Sequence, residues 1–142
     1  LEMHQIIFVA SEDSVVSMAA DENPSESYPC MSSQQFHRDA RAQLYALVTG
    51  EFLHEASEME MLDQALTEEG PYIYKLSMVL VTNLARLEED TIEEISLSWM
   101  QCEEIEALDL DANDLHDFMF QLVHFAQIAF NDDLSVYIYS DD

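Results

Sequence analysis

Basic residues are nearly missing from this chain. It has four Lys and Arg against thirty Asp and Glu in 142 residues, a formal charge of −26. Direct binding to nucleic-acid phosphates needs Lys and Arg, so the composition argues against it. Glycine occurs only at Gly50 and Gly70, too sparse for a phosphate-cradling loop. Ser11, Ser77 and Ser98 have no nucleophile-elbow motif around them. The two cysteines, Cys30 and Cys102, make no disulfide framework. No apolar run approaches the ~20 residues of a membrane-spanning helix.

What is present is an ordinary globular core. Hydrophobic residues make up 49% of the chain, too many for a disordered acidic tail. The length suits one domain, and such a chain buries roughly two-thirds of its unfolded surface. Leu1-Glu2 reads as a cloning remnant before a start at Met3, leaving 3–142 as a single acidic domain. The run Ile6-Ile7-Phe8-Val9-Ala10 has no basic leader, and Glu12 and Asp13 follow at once. It reads as a strand and not a signal peptide, which makes the cytoplasm the expected compartment.

The periodicities predict an α/β or α+β fold. A buried strand covers 5–10, and Ser11 caps a short helix to about Ala20. The stretch 21–32 holds two of the three prolines and reads as an exposed loop. Ser33 is expected to cap a helix to Val48 that Gly50 closes. Its inward positions are Phe36, Ala40, Leu44, Leu47 and Val48. A second helix is expected over 51–66, with Phe52, Ala56, Met59, Leu62 and Leu66 inward. Glu69-Gly70-Pro71 breaks the chain, and Tyr72–Leu76 is extended. Ser77 caps a helix through Leu87, and Asp90 or Thr91 opens one to about Ala107. On that helix Cys102 joins the stripe Ile92, Ile95 and Trp99 as a buried thiol. Asp111 or Asn113 opens the last helix, to about Phe130, with Leu115, Phe118, Met119, Leu122, Phe125, Ala126 and Ala129 inward. After a turn at Asn131–Asp133, Leu134–Tyr139 forms a closing strand. The first and last strands are expected to pair in a small sheet covered by five or six helices. Tyr72/Tyr74 and Tyr137/Tyr139 have strand spacing, so each pair shares one face, either half-buried or a contact surface.

No metal site or cofactor is expected. Asp109-Leu-Asp111-Ala-Asn113 starts like a Ca²⁺ loop, but Asp114 stands where the loop needs Gly and Phe120 where it needs Glu. His54 and Glu58 lie at i, i+4, two donors where a metal needs three or four. His37 beside Asp39 and Arg41 carries no motif, and His116 and His124 are placed on the outer side of the last helix. Thirty acids guarantee chance carboxylate pairs, so no hydrolase pair stands out.

Charge is the more informative feature. After Arg86 no Lys or Arg appears in 56 residues that carry 16 acids. Plain solubility accounts for such an excess. A surface for a basic protein accounts for it too, because negative potential steers such a partner. The expected contacts are Glu93, Glu94, Glu103, Glu104, Asp109, Asp111 and Asp114.

Four stretches in order, Ile7–Asp13, Gly70–Leu76, Ile92–Trp99 and Ala129–Tyr139, carry a resemblance that spans most of the chain. Together they resemble a loosely defined group of small bacterial proteins that look like immunity proteins, which neutralise toxins used in bacterial competition. The resemblance implies an immunity protein; taken with the acidic charge, the expected function is a non-enzymatic inhibitor of a basic cytoplasmic toxin, a nuclease or nucleotide-using enzyme. It transfers no contact residue. The alternatives are an enzyme with carboxylates hidden among the acids, or a regulatory scaffold module.

Overall fold

A computed structural model describes residues 5–17, 28–32 and 36–140. The β-branched and aromatic run at the start forms β1 (Gln5–Ala10). Ser11 then caps α1 (Glu12–Val16), its Oγ accepting the Ser14 N–H at 3.2 Å. The elements that follow are β2 (Cys30–Ser32), α2 (Arg38–Thr49), α3 (Leu53–Ser57), β3 (Glu60–Ala65) and β4 (Tyr72–Leu76). The chain continues through α4 (Met78–Ala85), α5 (Glu89–Met100), α6 (Glu103–Glu106), α7 (Ala112–Asp132) and β5 (Ser135–Ser140). The architecture is α+β.

The sheet has five strands in the order β2-β1-β5-β4-β3, every pair antiparallel. The first and last strands pair as expected, with Ile7 opposite Ile138, and β4 joins on the far side of β5. Both sheet faces are covered. Ile7, Val9, Leu76, Val136 and Ile138 pack under the helices. Phe8, Ile73, Tyr137 and Tyr139 form a second cluster with Val15 of α1. Phe8 stacks between Tyr28 and Tyr137, each at 5.6 Å. Each tyrosine pair therefore shares a face, but the two pairs use opposite faces. Tyr137 and Tyr139 are buried, and Tyr72 and Tyr74 are half-buried, so none of the four offers a broad contact surface.

The helical layer centres on α7. Its stripe Leu115, Phe118, Met119, Leu122, Val123, Ala126 and Ala129 is buried. Each large member contributes about 1.5–3 kcal/mol relative to exposure. Phe125 of the expected stripe is half-buried, and the helix runs on through Asn131 and Asp132, with Asp133 at φ 57° closing it. Gly50, at φ 76°, ends α2 in the left-handed conformation that suits glycine. Trp99 locks α5 to α2, its indole N–H donating to the Ala40 carbonyl at 2.9 Å. Phe36 and Phe118 pack beside that ring.

Several expectations need correction. The helix expected over 51–66 is only α3, followed by the strand β3. Met61, Leu62, Gln64 and Ala65 are helix formers, but pairing with the open edge of β4 overrides that preference. Phe52 and Leu62, expected inward, are exposed. Leu47, also expected inward, lies at the surface. Cys30–Ser32, expected in a loop, pairs with Ile6–Phe8 as a short edge strand. The helix expected to reach Ala107 starts at Glu89 and stops at Met100. An unbroken helix would carry Ile105 about 240° around from Trp99, off the buried side. The break at Gln101–Cys102 brings Ile105 back into the core. Cys102 sits at that break, half-buried instead of inside. Seven helices form among the described residues, against the five or six expected. The first helix, expected to reach about Ala20, ends at Val16 with Ser17 as its C-cap. The loop over 21–27 and the cap at Ser33 lie outside the described residues, as do Leu1-Glu2 and Met3. α2 is capped instead by His37, whose Nδ1 accepts the Ala40 N–H at 3.4 Å.

Candidate functional site

The four cations are unevenly placed. Arg41 is buried and grips the equally buried Glu60 through two bonds, Nε to Oε2 at 2.7 Å and Nη2 to Oε1 at 3.0 Å. Burial opposes the Arg41 charge, but the Glu60 carboxylate more than offsets this and holds its pKa above the ordinary value. Tyr45 also donates to Glu60, and burial beside that carboxylate pushes its phenol well up. Arg38 lies over the Tyr74 ring at 5.3 Å and donates to the carbonyls of Ser57 and Glu60. Lys75 pairs with Glu12 beside α1. Three of the four cations are thus engaged around α1, α2 and the sheet.

The helices after Arg86 keep their acids uncompensated by Lys or Arg of their own. Glu93 and Glu94 on α5, Glu103 on α6, and Asp109, Asp111 and Asp114 around the start of α7 are all exposed. Asp111 spends part of its acceptor capacity on the cap of α7, taking the Asn113 N–H at 3.2 Å. That capping role fits the departure of this segment from a Ca²⁺ loop. Glu104 behaves differently from the other expected contacts. It is half-buried and turns toward α2, where its Oε2 lies 3.8 Å from Nε2 of His37.

Between α5 and α7 lies a cleft of about 290 Å³, lined by Glu93, Ser96, Leu97, Met100, Asn113 and His116 among others. Ser96 fixes its floor, donating to the Met119 sulfur at 3.1 Å. Leu97 is 63% exposed, an apolar side chain among acids. Sequence reasoning passed over it, although a signal existed. Leu97 sits about 140° around the helix from Ile92, off the buried stripe and on the polar side. His116 of this cleft is half-buried, edge-on to Phe120 at 4.6 Å, while His124 is exposed.

The arrangement provides long-range attraction for cations and one small apolar recess. A basic protein that lays an aliphatic or aromatic side chain into such a recess gains hydrophobic burial there, with charges at the rim setting encounter rate. No described helix is long and apolar enough to cross a membrane. Compared with family models, curated proteins and solved structures, the chain has no match.

Proposed function

We propose that this protein is a non-enzymatic binding protein of the immunity or inhibitor kind. It acts in the cytoplasm on a basic toxin, a nuclease or nucleotide-using enzyme, and covers that enzyme's site with its own acidic face. The observation that supports this reading is the cleft between α5 and α7, where the exposed Leu97 lies beside Glu93 and near uncompensated acids. Glu93, Glu94, Glu103, Asp109, Asp111 and Asp114 supply the attraction. Leu97 and Met100 supply the anchor. Glu104 drops out of the contact set because its carboxylate faces α2.

The two parts separate kinetically. Reversing Glu93, Glu94 and Glu103 to Lys lowers the association rate about tenfold or more at low salt and flattens its salt dependence. Leu97→Asp instead speeds dissociation, because an apolar anchor is lost after encounter. The measurement is association kinetics with the toxin candidate encoded beside this gene, together with protection of cells that co-express the two. If the charge-reversed protein associates and protects as well as the wild type, or no basic protein of the host is bound, the reading is wrong.

A further inference from the structure

A second cleft, of about 390 Å³, opens where α2, α3 and α6 meet, lined by Asp39, Gln43, Leu53, His54, Ser57 and Glu104 among others. At its side a ring nitrogen of His37 and carboxylate oxygens of Asp39 and Glu104 all lie within 4.8 Å of one another. The three come from the cap and first turn of α2 and from α6, 65 positions further along the chain (104 − 39). His54 of α3, on the wall of the same cleft, faces Glu58 at 3.9 Å and stands outside this cluster.

The gathering of three metal-type ligands from two separate helices is the observation that points to a cation. Gln43 stands one turn beyond Asp39 on α2 and lines the cleft, and its buried Oε1 has no hydrogen-bond donor, so it has acceptor capacity left for a bound water. Arg38, the cation next in sequence to His37, lies over Tyr74 and donates to the Ser57 and Glu60 carbonyls.

We propose that His37, Asp39 and Glu104 form a binding site for one divalent transition-metal ion. An imidazole with two carboxylates suits Zn²⁺ and its first-row neighbours better than Ca²⁺, which prefers six to eight oxygens. The whole-molecule charge of −26 raises the local concentration of any cation. Coordination through Nε2 of His37 moves the ring proton to Nδ1. It gives up the cap bond to Ala40, which is already long at 3.4 Å. The metal then ties α6 to α2, and the site is independent of the cleft between α5 and α7.

Zn²⁺ titration by calorimetry, with excess Mg²⁺ present to occupy diffuse acidic sites, tests this. One Zn²⁺ per chain is expected at micromolar affinity or tighter. Glu104→Gln and His37→Asn are each expected to weaken it about tenfold or more. Asn can still cap Ala40, so His37→Asn removes the imidazole without opening the helix end. Unchanged melting curves in the metal-free state confirm that both variants fold. Asp90→Asn, an exposed acid on another helix, is expected to leave Zn²⁺ binding unchanged. Binding spread over many weak sites, or equally affected by Asp90→Asn, overturns the proposal. So does a His37→Asn protein that binds like wild type.

Discussion

The buried Arg41–Glu60 pair makes a sharp prediction about stability. Both side chains are about 2% exposed, joined through two bonds, and Glu60 also takes the Tyr45 hydroxyl at 2.5 Å. Arg41 donates further to Gln5 Oε1 and the Phe36 carbonyl, both at 2.6 Å. Glu60→Gln keeps the shape and removes the carboxylate charge that grips a guanidinium deep in the protein. Breaking such a pair from one side costs about 3–5 kcal/mol. Whole domains have about 5–15 kcal/mol of stability, so this is about a fifth of it or more. At about 3 °C per kcal/mol for a chain of this size, the melting temperature falls by roughly 10–15 °C. Thermal unfolding followed by circular dichroism, with urea titrations of the same samples, reads both quantities. Arg41→Met combined with Glu60→Gln then costs less than the two single changes added, by about 1–3 kcal/mol. The reasoning is refuted if Glu60→Gln loses under about 1 kcal/mol, or if the two changes add to within about 0.5 kcal/mol.

Two further outcomes follow from the charge distribution. Adding monovalent salt from low to moderate ionic strength raises the melting temperature, because it screens a self-repelling native surface; a flat or falling trend contradicts this. The Lys75–Glu12 pair gives a pH signature. Its hydrogen bond lowers the Glu12 pKa below 4.5 and raises that of Lys75 above 10.5. The Glu12 contribution is complete above 4.5 and fades as pH falls through its depressed native value. The Lys75 contribution is complete below 10.5 and fades as pH rises through its raised native value. The gap in urea midpoint between wild type and Lys75→Met is therefore widest across the neutral range and closes in strong acid. A gap that persists unchanged in strong acid rules out the ion pair as its source.

The parts of the fold that local pattern can encode were legible in the sequence. The strands at the two ends, the caps at Ser11, Ser77 and Asp111, the stop at Gly50 and most of the buried stripe of α7 all follow from periodicity and capping chemistry. β3 was hidden because its residues favour helix and only the partner strand β4 makes them extended. The break after Met100 was hidden because no Gly or Pro marks it; it serves the burial of Ile105, a tertiary demand. The acidic face was visible as composition, since charge excess needs no fold to be seen. The cleft beside Leu97 and the gathering of His37, Asp39 and Glu104 were not visible. Both depend on helices far apart in the chain being packed side by side.

The pairing of β1 with β5 also dictates an order of events during folding. β5 lies between β1 and β4, so it is the strand that joins the two halves of the sheet. During synthesis, residues 135–140 are made after everything from β1 to α7. Until they arrive, the β1–β2 pair and the β3–β4 hairpin have no common partner. Phe8 and Ile73 wait for Tyr137 and Tyr139 to cover them. Contacts so distant in sequence carry a loop-closure cost of about 4 kcal/mol before they return any stabilisation, and they slow folding relative to a helical bundle of equal size. The nascent chain thus holds exposed strand edges for most of its synthesis. Dense like charge keeps such half-finished chains apart.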